Sequence, residues 1–312
     1  MSFAFVFPGQ GSQSVGMLGE LAAKFPLIKQ TYAEASTALG YDLWRLVQDG
    51  PEADLNQTHI TQPAMLAGGV AVWRVWQAQG GPVPAVMAGH SLGEYSALVA
   101  AGSLALADAV TLVADRGRFM QEAVPAGVGA MAAVLGLDDD QVIAVCAEAA
   151  QAEVVSAVNF NSPGQVVVAG HVNAVERAVA LAKAAGAKRA LVLPVSVPSH
   201  CSLMAPAAER LAERLTAIAI AAPAIPVINN VDVKAESGAD AIRDALRRQL
   251  FMPVRWVDII TAMGAQGVEN MVECGPGKVL VGLNKRINKG MGTFETHDPE
   301  SLMKALETLT GE

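Results

Sequence analysis

Along this chain, short apolar runs bounded by turn formers alternate with longer stretches in which apolar residues recur every three or four positions, a pattern of buried strands and amphipathic helices. Met1–Phe7 reads as a first strand and ends at Pro8-Gly9-Gln10-Gly11-Ser12-Gln13. Helical periodicity covers residues 18–39, 43–49 and 63–79, and Ala85–Ala88 forms a second short apolar run between turn signals. Gly89-His90-Ser91-Leu92-Gly93 follows, then helices over 94–101 and 108–122, the latter with Asp108 as its expected cap.

Residues 127–195 have a rhythm of their own. Strands are expected at 130–137, 154–159, 166–170 and 189–195, with helices at 138–150 and 173–185. That order, β-α-β-β-α-β, is the ferredoxin-like pattern. From residue 202, helices (202–219, 239–250, 254–263, 280–288 and 299–309) again alternate with strands (226–231 and 268–273). The expected fold is α/β: a hydrolase-like, mostly parallel sheet flanked by helices and built from residues 1–126 and 196–312, with an inserted ferredoxin-like subdomain at 127–195.

Composition narrows the function classes. Of 312 residues, 52% are hydrophobic and 17% charged, which excludes disorder and demands a large core. With aromatics at only 5%, Ala, Val and Leu must fill that core. A net charge of -8 argues against nucleic acid as a partner, since affinity for phosphates comes from cations. Cys146, Cys201 and Cys274 are odd in number and far apart, so neither a disulfide framework nor a structural zinc is expected. Ala97–Ala114 has nearly the apolarity of a membrane span, but Asp108 and the Gly102-Ser103 break favour two buried helices. With no basic segment ahead of the first apolar run, the expectation is a cytoplasmic protein without a membrane partner.

The sharpest chemical signal is Gly89-His90-Ser91-Leu92-Gly93, a G-x-S-x-G between strand and helix. This is the context of a nucleophile elbow, although glycine merely permitting a turn would look the same. A serine nucleophile needs a base. His59 and His297 lie in polar loops, His171 ends a strand, and His90 adjoins Ser91 on a turn that points neighbours apart. His200 remains, fixed in a proline-bearing loop. No clear acid lies between Ser91 and His200, which argues against a plain Ser-His-Asp hydrolase. The Gly9-Gln10-Gly11 loop could lend an N–H to an oxyanion hole beside that of Leu92, or be a simple turn or phosphate loop. It lacks the dinucleotide-binding spacing, and Gly275-Pro276-Gly277-Lys278 lacks that of a P-loop. Arg116 falls on an apolar helical stripe with Ala109, Leu112, Val113 and Met120. A buried guanidinium requires an anion, whether an internal carboxylate or a substrate's; a snorkelling position at the rim would also fit the spacing.

Several motifs, in order, resemble one family: Phe7-Pro8-Gly9-Gln10-Gly11-Ser12-Gln13, Gly89-His90-Ser91-Leu92-Gly93-Glu94-Tyr95, Arg116-Gly117-Arg118-Phe119-Met120, Asn159-Phe160-Asn161-Ser162-Pro163-Gly164-Gln165, Val197-Pro198-Ser199-His200-Cys201 and Gly275-Pro276-Gly277-Lys278. The chain is similar over essentially its whole length to the malonyl-CoA:acyl-carrier-protein transacylases of fatty acid and polyketide synthesis. The resemblance implies Ser91 as nucleophile, His200 as base, and the backbone N–H groups of Gln10 and Leu92 as oxyanion hole. It implies that Arg116 binds the malonyl carboxylate and that the Gln249 carbonyl orients the histidine, which accounts for the missing acid. Met120 would wall the acyl pocket, with Asn159 and Asn161 near the cleft. Phe251-Met252 stands where Tyr-Asn is common in the family, which touches the shape of the pocket rather than its chemistry.

The resemblance implies a ping-pong transfer from malonyl-CoA to acyl carrier protein, with no metal or bound cofactor. A serine thioesterase or esterase using Ser91 is the alternative, and a non-catalytic carrier-binding protein a more distant one. Because the family's carrier partner is acidic, docking would need a local basic patch, for which Lys188-Arg189, Arg247-Arg248 and Lys285-Arg286-Lys289 are the candidates.

Overall fold

The computed structural model describes residues 2–195 and 197–311. Met1, where the first strand was expected to begin, Ser196, at the second boundary of the expected insertion, and Glu312 lie outside them. Nine strands occur among the described residues: β1 (Phe3–Phe7), β2 (Val86–Gly89), β3 (Gly129–Leu135), β4 (Val155–Ser162), β5 (Gln165–His171), β6 (Arg189–Val192), β7 (Val227–Ile228), β8 (Asn270–Glu273) and β9 (Gly292–Glu295).

They form two sheets. The first has order β7-β2-β1-β8-β9, and every pairing is parallel. The second, β4-β5-β3-β6, is antiparallel throughout. With the helices Asp139–Ala150 and Val172–Ala184 it has the ferredoxin-like topology, and the chain returns from it to the parallel sheet at β7. The α/β fold with an antiparallel subdomain is therefore as the sequence implied.

β1 lies at the centre of the parallel sheet and is buried from end to end. Alternation sends its side chains to opposite faces. Phe3, Phe5 and Phe7 enter the larger core, where the Phe5 ring lies 5.3 Å from Trp73 and 5.0 Å from Trp76 between centroids. Ala4 and Val6 face a second core with Trp256, Ile259 and Ile260. A parallel sheet with helices on both faces explains why β1 and β2 read as unbroken apolar runs.

The two sheets are joined near Val254. Its N–H donates to Val158 O at 2.8 Å, and Phe160 N–H donates to Val254 O at 3.0 Å. Val254 is thereby held in extended pairing, so the helix expected from it starts at Trp256.

Other departures also have local causes. The helix expected over 18–39 is two, Gly19–Lys24 and Leu27–Leu39, because Pro26 has no N–H to continue the first. The helix expected from Pro63 begins at Thr58 and carries Pro63 inside it. Asp108 does not cap its helix; it sits in the first turn of Leu106–Ala123, where its charge still suits the dipole. β7 is shorter than 226–231 because Asn229 Oδ1 accepts from the N–H groups of Val231 and Asp232, turning the chain. β9 was not anticipated: an edge strand of four half-buried residues has no alternating pattern. All three cysteines are free and buried, and no described helix is long and apolar enough to cross a membrane.

Candidate functional site

Because β1 and β2 are parallel neighbours in register at Phe7 and Gly89, the loops that leave their carboxyl ends emerge side by side. β7, paired to β2 through Ile228 and Ala88, brings Asn229 and Asn230 to the same edge. The crevice at the carboxyl ends of strands is where open α/β sheets place their chemistry.

Ser91 sits on the turn between β2 and the helix Gly93–Ala100, with φ of 51°, a left-handed conformation that strains a non-glycine residue. Flanking glycines make the turn feasible. A Cβ on Gly89 would strike the backbone of Gly93, and one on Gly93 would strike Phe7 O. Asn230 holds the turn from both sides: its Oδ1 accepts from Ser91 N–H at 2.7 Å, and its Nδ2 donates to Gly89 O at 2.7 Å.

His200, also at positive φ (67°), lies with Nε2 2.8 Å from Ser91 Oγ. Its Nδ1 is 2.7 Å from the backbone oxygen of Gln249. A carbonyl only accepts, so Nδ1 carries the proton and Nε2 is free to accept from the serine hydroxyl. Gln249 ends the helix Ala239–Gln249, where carbonyls lack an intrahelical partner and one is available to the imidazole. Arg248 donates to both carboxylate oxygens of Asp232 at 2.9 and 2.6 Å, fastening that helix to the loop that carries Asn230.

Arg116 is 1% exposed, so it is neither a rim residue nor, as its partners show, half of an internal salt bridge. Nη2 donates to Ser91 Oγ at 3.1 Å and to Gln249 Oε1 at 3.0 Å, and Nη1 donates to Gln62 Oε1 at 2.8 Å. Nε has no hydrogen-bond partner among the described residues, and the guanidinium carbon lies 5.4 Å from the centroid of the Tyr95 ring. Glu94 stands one amide away, accepting from Gln249 Nε2 at 2.7 Å and from Asn230 N–H at 2.9 Å.

Burial sets the protonation states. It pushes His200 down to about 3, helped by the Arg116 charge and opposed by the bond to Gln249 O. It pushes Glu94 up to about 7, against its bonds to Gln249 and Asn230 and the attraction of Arg116. It also holds Arg116 below the ordinary arginine range.

The remaining expected residues fall as follows. Met120 is buried with Sδ 3.7 Å from Gln62 Nε2, beside the Arg116–Gln62 contact. Asn161 Oδ1 lies 2.8 Å from His90 Nε2, next to the elbow. Asn159 is in β4, its Oδ1 buried without a hydrogen-bond partner among the described residues. The N–H groups of Gln10 and Leu92, on the two adjacent loops, enter no hydrogen bond among the described residues. No group of three or more His, Cys, Asp or Glu side chains that could hold a metal occurs there either.

Three members of the cluster were not singled out from the sequence: Gln62, Glu94 and Asn230. Each left a trace. Gln62 precedes a proline in an apolar run, Glu94 is a carboxylate early in a mostly apolar helix, and Asn230 is the second of two asparagines that interrupt an apolar run.

A family profile described as "Acyl transferase domain" matches residues 4–292. The chain belongs to the acyl transferase family. It is 63% identical to the malonyl CoA-acyl carrier protein transacylase of Escherichia coli (strain K12), over 98% of this chain and 99% of that one. Among solved structures, it superposes with a TM-score of 0.98 on the malonyl CoA-acyl carrier protein transacylase of Coxiella burnetii, at 52% identity, over 99% and 98% of the two chains. The same TM-score, 0.98, holds for a malonyl-transacylase in complex with its type II PKS acyl-carrier protein, at 58% identity over 99% and 100% of the chains.

A serine hydroxyl bonded to a neutral imidazole, beside unspent N–H groups and a cation, is equipped for acyl transfer. The depressed value of His200 has a measurable consequence. Second-order acylation reports groups of the free enzyme. With a neutral activated ester such as p-nitrophenyl acetate, the wild-type rate should not fall as pH drops through the ordinary histidine value of about 6.5. Arg116→Ala removes one depressing charge, so its acid limb should move to higher pH. Glu94→Gln is the control, since Glu94 titrates nearer neutrality. A limb near 6.5 that survives in Glu94→Gln would show that His200 is not depressed.

Proposed function

We propose that the protein transfers a malonyl group from coenzyme A to the pantetheine thiol of acyl carrier protein, through a malonyl-serine on Ser91, in the cytoplasm. The observation that carries this reading is that one oxygen, Ser91 Oγ, is in hydrogen-bond contact with both His200 Nε2, at 2.8 Å, and Arg116 Nη2, at 3.1 Å. A base and a cation converge on the atom that would be acylated. An acyl group there with its carboxylate one methylene beyond the carbonyl stays within reach of the guanidinium.

In this mechanism His200 Nε2 takes the proton of Ser91 as Oγ attacks the thioester carbon. The N–H groups of Gln10 and Leu92 receive the developing oxyanion. Collapse of the tetrahedral intermediate breaks the carbon–sulfur bond, and the imidazolium protonates the departing CoA sulfur. The carrier thiol then loses its proton to His200 and attacks the malonyl-serine, and the released serine alkoxide regains that proton. The Gln249 carbonyl holds the imidazole tautomer through both halves, so no carboxylate is needed behind it. Arrival of the malonyl carboxylate counters the Arg116 charge that depresses His200, so the loaded site has the more basic imidazole.

Intact mass after brief exposure to malonyl-CoA should show one malonyl adduct on the wild type and none on Ser91→Ala. The adduct should persist in water and be discharged by acyl carrier protein. Rapid hydrolysis instead would favour a thioesterase.

Selectivity gives a second test. Two charge-assisted hydrogen bonds to a carboxylate, each worth about 1.5–3 kcal/mol, are available to malonyl and not to acetyl. Arg116→Ala should therefore lower kcat/KM for malonyl-CoA by roughly two orders of magnitude or more while acetyl-CoA loading holds or rises. Arg116→Lys should restore only part, lacking the planar fork. An equal fall for both substrates would make Arg116 a structural residue only.

Ion pairing within the molecule bears on the choice among the candidate docking patches. Arg247 is paired with Glu209 at 3.0 Å and Arg248 with Asp232 and Asp244, each at 2.6 Å, so their charge is largely spent. Lys188 and Arg286, far apart in sequence, line one surface cavity of about 480 Å³ together with a single carboxylate, Asp138, so cations outnumber anions there. Lys188→Glu and Arg286→Glu should raise the KM for acyl carrier protein several-fold more than that for malonyl-CoA, and added salt should weaken the wild type in the same way. Carrier kinetics indifferent to both reversals would move docking elsewhere.

A further inference from the structure

The guanidinium of Arg116 is sealed in the protein, yet the acceptors it reaches among the described residues are neutral: Gln62 Oε1, Gln249 Oε1 and Ser91 Oγ, with the Tyr95 phenol, kept un-ionised by burial, beside them. Both amides are buried, Gln62 at 1% and Gln249 at 0% exposure. The orientation of Gln249 is dictated by its surroundings. Its Nε2 faces the backbone oxygen of Ser91, which only accepts, and Glu94 Oε2, which already accepts from Asn230 N–H, while the Arg116 N–H groups only donate, so its Oε1 faces the arginine. Gln62 turns its oxygen to Arg116 and its nitrogen toward the weakly accepting Met120 sulfur. Glu94 attracts the cation but does not touch it, because the Gln249 amide stands between them, and burial raises its carboxyl to about 7, which weakens it as a counter-ion.

We infer that Gln62 is a specificity-determining positioning residue: together with Gln249 it aims the Arg116 fork at the acyl site while leaving its positive charge unspent, so that an acyl carboxylate is the first anion to reach it. A glutamate of nearly the same shape would aim the fork as well, but would neutralise it. The distinction is between holding an arginine and pairing it. A buried cation lacking an anion raises the energy of the empty site, and a carboxylate-bearing acyl group relieves that cost where acetyl does not. This inference rests on the malonyl reading above.

The experiment compares wild type, Gln62→Glu and Gln62→Met by kcat/KM for malonyl-CoA and for acetyl-CoA, with thermal melting of each protein. In Gln62→Glu the malonyl-to-acetyl ratio should fall by about a hundredfold or more, because the pocket now holds its own anion, and the melting temperature should not fall, because the cation gains a partner. In Gln62→Met, which removes the acceptor without adding charge, the preference for malonyl should persist within about tenfold. Loss of stability alongside loss of malonyl transfer in Gln62→Glu would overturn the inference, since the added carboxylate would then not be pairing Arg116. So would a wild-type ratio in Gln62→Glu, or an equal collapse in both variants, which would mean that acceptor geometry rather than charge governs selectivity. A wild type that loads malonyl and acetyl alike would instead sink the malonyl reading itself, whatever the variants do.

Discussion

A guanidinium enclosed in the protein with no carboxylate against it is the constraint around which this site is arranged. Removing an ion from water without a partner costs several kcal/mol, and the cost is borne only where surrounding groups recover part of it. Here three neutral oxygens and the face of Tyr95 do so, and they leave Nε without a hydrogen-bond partner among the described residues. Each of those groups comes from a different element. Gln62 is on the helix Thr58–Ala78, Ser91 on the turn after β2, Tyr95 on the helix Gly93–Ala100, and Gln249 at the end of the helix Ala239–Gln249. Displacing any one of these elements would expose the cation or strand it, so the charge ties the large core to the reactive edge of the sheet.

The second demand is the strained turn at Ser91. Its positive φ is held by specific bonds, and those bonds lead back to the same charge. Asn230 clamps the turn through Ser91 N–H and Gly89 O; Glu94 fixes Asn230 through its backbone N–H; Gln249 joins Glu94 to Arg116. Ser91, His200 and Arg116 are therefore parts of one hydrogen-bonded unit. Gln249 is its hinge point, since its backbone orients His200 while its side chain reaches Arg116, Glu94 and the Ser91 carbonyl.

How far this was legible in the sequence depends on the range over which each feature is determined. The elbow is local: an apolar run, Gly-His-Ser-Leu-Gly and a helix specify strand, turn and helix between residues 85 and 101, and the structure places each within a residue or so of its expected range. The antiparallel subdomain was legible for the same reason, because Asp138 and Gln141 form a capping box and Gly164 takes positive φ at the turn between β4 and β5. Arg116 was marked by its helical stripe. The pattern did not show its surroundings, because Gln62 and Gln249 lie 54 and 133 positions from it and no periodicity relates them; Gln249 was reached only through the family resemblance, and only for its backbone carbonyl. The early start of the helix at Thr58 also escaped notice, since a proline inside a helix reads as its beginning. That start is what carries Gln62 into the core. For β7 and β9, short strands at the ends of the sheet, partner strands rather than their own residues determine the conformation.

The absence of a carboxylate behind His200 follows from the same electrostatics. In a Ser-His-Asp arrangement the acid stabilises the imidazolium. An acid in place of the Gln249 carbonyl would stand next to the residue whose side chain is bonded to Arg116 at 3.0 Å, and would bring a second anion into the cluster. It would draw on the charge that, on the proposed reading, is kept for the acyl group, and it would make His200 basic in the empty enzyme, where a basic imidazole is of no use. A carbonyl fixes the tautomer and adds only a dipole. On that reading the empty site would hold an Arg116 charge without a carboxylate in contact and a weak base, and the loaded site a paired charge and a stronger one. Substrate charge would thus complete the electrostatics of the base as well as being recognised by the arginine, which gives a malonyl group an advantage in the chemical step beyond that in binding.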